Sequence, residues 1–273
     1  MERQVNFTRY RVEPGSAPEL AQRDPAARGG IPASKQERAD RQAEMAGRID
    51  VLQDLLYAEH LNRMLVILQG MDTSGKDGTI RHVFGEVDPL GVRAVSFRAP
   101  VGEEMERDYL WRVHRQVPGT GEIVLFNRSH YEDVLVPWVH GHIDRAECER
   151  RYQHINAFER MLAETGTTIV KLFLHISRDE QCSRLQARLD DPLKRWKFDP
   201  RDLEVRRKWD DYMQAYEDAI AATSSPWAPW YVVPANSKSG RNFVVSSLLI
   251  DILEQLKMKY PEPSQDYSGL VLD

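Results

Sequence analysis

The segment Gly70-Met-Asp-Thr-Ser-Gly75-Lys76 fits the pattern G-x-x-x-x-G-K and directly follows the apolar run Met64 to Gln69, MLVILQ. Glycines at these positions let the backbone curl until successive N–H groups face one point, which suits an anion. A helix expected from about Lys76 to Gly85 adds the positive end of its dipole, and Lys76 adds a full charge. The pattern alone occurs by chance; a strand before it and a helix after it are the context that makes it a phosphate loop. The alternative is a glycine-rich turn with a surface lysine.

The order of elements around this loop repeats along the chain. Ser34 and Glu37 form a capping-box pattern that opens a helix to about Leu61, with Ile49, Leu52, Leu55 and Leu56 on one face. Further strands are expected at 92–97, 122–126, 167–176 and 230–233. Helices are expected at 102–117, from Asp144 and Glu147 to Glu164, and at 241–259. Alternating strands and helices predict an α/β fold, a five-stranded parallel sheet with helices on both faces. The charged, helical stretch before the last strand is about 50 residues long, far more than a crossover needs, and predicts a lid at about 184–208. Residues 1–33 read as an arm without its own core, 34–260 as the domain that carries the phosphate loop and 261–273 as a loose tail.

Charge and composition narrow the function classes. A net charge of −5 argues against a basic nucleic-acid binder. Within that acidic chain, residues 184–208 carry nine Lys/Arg against five Asp/Glu, which reads either as a focused anion site or as a solvated helix face. Cys148 and Cys182 lack metal or disulfide spacing, and His114, His130, His140, His142, His154 and His175 show no ligand pattern. No apolar run reaches the roughly 18–20 residues of a membrane span, and the N-terminal segment lacks an apolar core of the signal-peptide type, so the expectation is a cytoplasmic protein without membrane or nucleic-acid partners.

The loop departs from an ordinary ATPase loop. Asp77 follows the lysine where a Ser or Thr hydroxyl usually meets Mg2+, and Asp72 puts a second carboxylate inside the loop. Asp77 could otherwise be a helix N-terminal acid that complements the dipole. The third strand runs into Phe126-Asn-Arg-Ser-His-Tyr-Glu-Asp133, with Asn127 where an acid commonly follows the strand. Arg128 suits a planar fork on phosphate oxygens, and Glu132 and Asp133 are oxygen donors suited to Mg2+. The alternative is a surface loop of mixed charge.

Four segments, GMDTSGKDG (70–78), FNRSHYEDVLV (126–136), DDPLKRWKF (190–198) and SSPWAPWYVVPANSKSGRN (224–242), together resemble the family-2 polyphosphate kinases over about residues 30–260. The resemblance implies a three-layer α/β/α P-loop kinase fold of thymidylate-kinase-like type with a helical lid. Asn127 and Glu132 look like the marks of class III, whose members use inorganic polyphosphate to phosphorylate nucleoside mono- and diphosphates, AMP to ADP and ADP to ATP, with Mg2+. Carried over by position, Lys76 binds the transferred phosphate, Asp72 and Asp133 serve the metal, and Arg128 holds the nucleotide phosphate; these four form the catalytic set. Gly70, Met71, Thr73, Ser74, Gly75, Asp77, Asn127 and Glu132 line the phosphate and nucleotide site. In the lid, Arg188, Lys194, Arg195 and Lys197 are anion contacts, with Trp196 and Phe198 either near the base or packing the lid. Lys238 and Arg241, in the loop after the last strand, line a polyphosphate path or are plain surface charge. The family commonly forms dimers or tetramers. Two rivals remain: an ATP-dependent nucleoside monophosphate kinase, and a non-catalytic binder of nucleotide or polyphosphate.

Overall fold

The computed structural model describes residues 7–28, 31–32, 34–263 and 265. Six strands form one sheet: β1 (Arg11–Val12), β2 (Arg63–Gln69), β3 (Val92–Ser96), β4 (Ile123–Asn127), β5 (Thr167–His175) and β6 (Trp230–Pro234), in the order β1-β6-β5-β2-β4-β3. The five expected strands are all present and all parallel; the sixth, β1, pairs antiparallel to β6 at the sheet's edge. A two-residue strand carries no periodicity to read. β2 lies between β4 and β5 and is buried on both faces, which is why its sequence is an unbroken apolar run rather than an alternation.

The helices are α1 (Lys35–Glu59), α2 (Lys76–Phe84), α3 (Trp111–His114), α4 (Glu132–Val139), α5 (Arg145–Glu164), α6 (Arg178–Asp190), α7 (Arg201–Arg207), α8 (Trp209–Thr223) and α9 (Lys238–Gln255). One group, α1, α2 and α9, packs together, and α4, α5 and α8 form another. Local chemistry sets their starts. The side chains of Ser34, Asp144, Ser177 and Ser237 accept from the N–H three residues on, at α1, α5, α6 and α9. Ile49, Leu52 and Leu56 of α1 are fully buried.

Two helical expectations change. The stretch 102–117 is not one helix but a 3-10 turn at Gly102–Met105 followed by the single turn of α3. Asp108 accepts from the N–H groups of Leu110 and Trp111 at 2.9 and 3.0 Å, and that local cap restarts the chain between the two pieces. Conversely, α4 forms although Pro137 lies inside it. The Asp133 carbonyl, which a proline cannot bond, accepts instead from Arg151 Nη1 at 2.5 Å.

The arm packs on the domain. Tyr10, Val12 and Leu20 are buried in the common core, and the Glu217 carboxylate accepts from the N–H groups of Glu19 and Leu20. Most of the expected tail beyond 261 lies outside the described residues.

The C-terminal ends of the strands gather at one edge of the sheet. Leu68 pairs with Asn127 and Gln69 with Phe173 in the register, and Arg128 N–H donates to the Leu68 carbonyl. The loop after β2, the loop after β4 and the starts of α6 and α9 therefore meet there, the usual place for a ligand in an open parallel sheet. A buried ion pair anchors this edge from below. Lys171 of β5 donates to Glu159 Oε2 at 2.6 Å, to Tyr131 Oη at 3.0 Å and to the Thr223 carbonyl at 2.7 Å, and Tyr131 Oη donates to Glu159 Oε1 at 2.9 Å. With every charge and hydroxyl partnered, Tyr131 is held immediately before α4.

Candidate active site

The loop between β2 and α2 needs its glycines. Gly70 has φ 146° and Gly75 φ 103°. A Cβ on Gly70 would lie 2.7 Å from the Leu174 carbonyl oxygen, and one on Gly75 would lie 1.7 Å from Arg241 Nη1. Thr73 takes φ 66° without being glycine, a conformation a side chain adopts only under constraint from its surroundings. The constraint comes from behind the loop. Gln181 Nε2 donates to the Asp72 carbonyl at 3.2 Å, and Arg184 Nη1 donates to those of Thr73 and Ser74 at 2.9 and 3.1 Å. Arg241 Nη1 donates to the Ser74 carbonyl at 3.1 Å.

Lys76 folds back over the loop and donates to the Gly70 carbonyl at 2.7 Å. Burial pushes its ammonium down to about 8, Arg128 adds to that, and the carboxylates of Asp72, Glu132 and Asp77 oppose it. The hydroxyls of Thr73 and Ser74 are buried without a protein partner, donors that phosphate oxygens would satisfy.

The loop after β4 closes the other side. Arg128, at φ 63°, donates through Nη2 to Asp72 Oδ1 at 2.6 Å and through Nη1 to Glu132 Oε2 at 3.0 Å. Those carboxylates, Glu132 first and Asp72 after it, hold the guanidinium well above its ordinary value against the opposing effect of burial. With its amide oriented to suit its neighbours, Gln69 donates to Glu132 Oε1 at 2.9 Å and accepts from Ser129 N–H. Asn127 Nδ2 donates to Asp77 Oδ1 at 2.7 Å, so the two departures from an ordinary ATPase loop are partners. Asp133 belongs to a different ion pair from Asp72. Arg112 Nη2 donates to its Oδ2 at 2.8 Å, and burial raises its carboxyl while Arg112 pulls it back.

The lid cations stand apart. Arg188 lies 3.6 Å from Asp202, and Lys194 pairs with Asp191 at 2.5 Å. Arg195 Nε donates to the Leu189 carbonyl at 3.0 Å, and Lys197 lies 5.2 Å from the Trp196 ring centre. Trp196 is 77% exposed, whereas Phe198 is partly covered. Among the lid carboxylates, Asp202 is raised first by burial and then by the Asp72 carboxylate.

The sequence model of Polyphosphate kinase 2 (PPK2) matches residues 32–261, nearly all of the chain. The chain belongs to the polyphosphate kinase 2 family. The AMP/ADP-polyphosphate phosphotransferase of Meiothermus ruber is 53% identical over 265 residues, which are 97% of this chain and 99% of that protein. The ADP-polyphosphate phosphotransferase of Rhodopseudomonas palustris is 45% identical over 79% of this chain and 78% of its own length. A crystal structure of Polyphosphate Kinase 2 from Arthrobacter aurescens TC1 superposes with a TM-score of 0.93 at 46% identity, covering 97% of this chain and 96% of that one.

In this polyphosphate kinase 2 chain, the structure brings Gly70, Met71, Asp72, Thr73, Ser74, Gly75, Lys76, Asp77, Asn127, Arg128 and Glu132 to one edge of the sheet. Two expectations are corrected. Lys238 and Arg241 do not lie in a loop but in the first turn of α9, because Ser237 caps that helix immediately before Lys238, accepting from the Gly240 N–H. Arg241 is 2% exposed and faces the back of the P-loop, so it supports the loop instead of lining a path. Lys238 is exposed. The sequence reading missed Gln69, Arg112, Gln181 and Arg184. A signal existed for the last: Arg184 follows Glu180 by four residues on the same helix face as the buried Gln181.

Proposed function

We propose that the chain transfers the terminal phosphate of inorganic polyphosphate to nucleoside mono- and diphosphates, making ADP from AMP and ATP from ADP. The observation that carries this reading is the Arg128 bridge. One guanidinium ties Asp72 of the phosphate loop to Glu132, the residue that resembles the class III mark, so donor and acceptor sides meet at a single cation.

The chemistry is direct in-line displacement. A terminal phosphate oxygen of the nucleotide forms a bond to the end phosphorus of polyphosphate. The bond from that phosphorus to the bridging oxygen breaks, and the electron pair stays on the shortened chain. Lys76, the inward N–H groups of the loop and Arg128 face the charge that spreads over the transferred group. No group on the enzyme needs to carry the phosphate between the two.

Asp72 and Asp133 are the carboxylates we assign to Mg2+. Among the described residues no three His, Cys, Asp or Glu side chains form a ready-made cage. Asp72 accepts from Arg128 and Asp133 from Arg112, and Mg2+ commonly takes one or two carboxylates together with waters and substrate phosphates. When bound, it would neutralise charge on the phosphate oxygens. The homo-oligomer implied by the resemblance is part of the same reading.

The deciding experiment supplies AMP and polyphosphate, with no ATP, to the purified chain. Formation of ADP and then ATP is the expected result. Turnover only with ATP as donor means a nucleoside monophosphate kinase, and tight binding without product means a non-catalytic binder.

A further inference from the structure

α6, the first helix of the lid region, grips the phosphate loop through three consecutive carbonyls. Gln181 takes that of Asp72, and Arg184 takes those of Thr73 and Ser74. The same Arg184 guanidinium reaches across to the loop after β6, where Nη2 donates to the carbonyls of Ala235 at 2.6 Å and Asn236 at 3.0 Å. Its Nε donates to Glu180 at 2.7 Å. All five of its donors are engaged by one rigid fork, a role an ammonium cannot fill.

These bonds set the other side of each peptide. A trans peptide points its N–H opposite to its C=O. Holding the Asp72 and Ser74 carbonyls from behind therefore turns the N–H groups of Thr73 and Gly75 away from α6. Both N–H groups lie within the loop segment Gly70 to Lys76. Gln181 is tied in turn to α7, because Arg206 Nη1 donates to Gln181 Oε1 at 3.1 Å and to the Arg178 carbonyl at 2.7 Å. A continuous set of hydrogen bonds runs from α7 through α6 to the loop.

We propose that Arg184, assisted by Gln181, is a positioning residue for phosphoryl transfer: it aims the N–H groups of the phosphate loop from the lid side and couples the seating of α6 to the geometry of the loop. Arg184 touches no reacting atom. Arg241 shares the Ser74 carbonyl but sits on α9, outside the lid, so it supports the loop without this coupling. The inference deepens the functional reading above and rests on it.

The test compares wild type with Arg184→Lys and Arg184→Met in steady-state assays with ADP and polyphosphate, well below the melting temperature of each protein by circular dichroism. We expect kcat to fall about 10- to 100-fold in Arg184→Lys, with the KM for ADP changed less than about threefold. A purely structural residue would lower the melting temperature and leave kcat per folded enzyme at the wild-type value; that result overturns the proposal. If both variants fail to fold, Glu180→Ala takes their place. It keeps the guanidinium and releases its anchor on α6, and a kcat equal to wild type there also overturns the proposal. Failure of the functional reading looks different: wild type itself then makes no ATP from ADP and polyphosphate.

Discussion

The phosphate loop and the lid both concentrate positive charge, and they hold it in opposite ways. Behind and over the loop, Lys76, Arg184 and Arg241 are buried and bonded to backbone carbonyls. In the lid, Lys194 and Arg195 are exposed, and the partners of Arg188, Lys194, Arg195 and Lys197 lie within the lid itself. Buried cations fixed by carbonyls cost nothing to reorganise when an anion arrives, whereas exposed ones are screened and must be drawn in. The difference teaches that a count of lysines and arginines says little about their work. The back of the loop is already fixed, by α6 among others, whereas the lid cations from Arg188 to Lys197 are held by their own neighbours.

Experiments can break that comparison, beginning with the largest effect. Lys76→Ala removes the buried ammonium that folds over the loop, and kcat/KM for polyphosphate should fall by about 1000-fold or more in a coupled ATP assay. A rate within tenfold of wild type would mean that the loop is not the seat of transfer. Next is Arg128→Lys, which keeps the charge and loses the fork that spans Asp72 and Glu132. We expect a loss of about 100-fold, with the acceptor KM rising as well.

A pH profile sharpens the picture without mutation. Burial holds Lys76 at about 8, so the free enzyme loses this charge as pH rises through that value. kcat/KM, which reports the free enzyme, should fall about tenfold per unit above it. The linked stability moves the other way. The unfolded chain keeps this proton up to its ordinary value of 10.5, so the cost of burying the charged lysine shrinks between about 8 and 10.5. A flat profile would show that Lys76 is not the charge that matters.

The smallest effects belong to the lid. Lys194→Ala removes an exposed cation already paired with Asp191 and should lower kcat/KM by only about 2- to 5-fold, less at high salt. If it equals Lys76→Ala in effect, the contrast between the two regions is wrong.

Much of the fold was legible because the relevant signals are local. The apolar run of β2, the caps at Ser34 and Asp144, and the glycines of the loop each act over a few residues. The expected helix at 102–117 failed on one side chain: Asp108 offers the backbone a competing cap, and propensity over a longer window does not register it. α4 was hidden because Pro137 normally ends a helix, and only the distant Arg151 makes it tolerable here. In the site, the front was readable and the back was not. Lys76, Asp72 and Arg128 carry a motif, while Arg184, Gln181 and Arg112 act across long sequence separations on carbonyls and carboxylates that no pattern marks.

By itself the sequence determined that this chain builds a phosphate loop at the end of a buried parallel strand, since loop glycines, a lysine and a helix start leave little other use for that segment. It also determined the unusual pairing of letters, Asp77 after the lysine and Asn127 after β4. Only the tertiary structure decided that those two meet at 2.7 Å and that Arg241 faces inward at 2% exposure. The physical reason is that hydrogen bonding and burial depend on what lies opposite in space, and in this sheet the opposing groups come from strands and helices 50 to 167 residues apart in the chain.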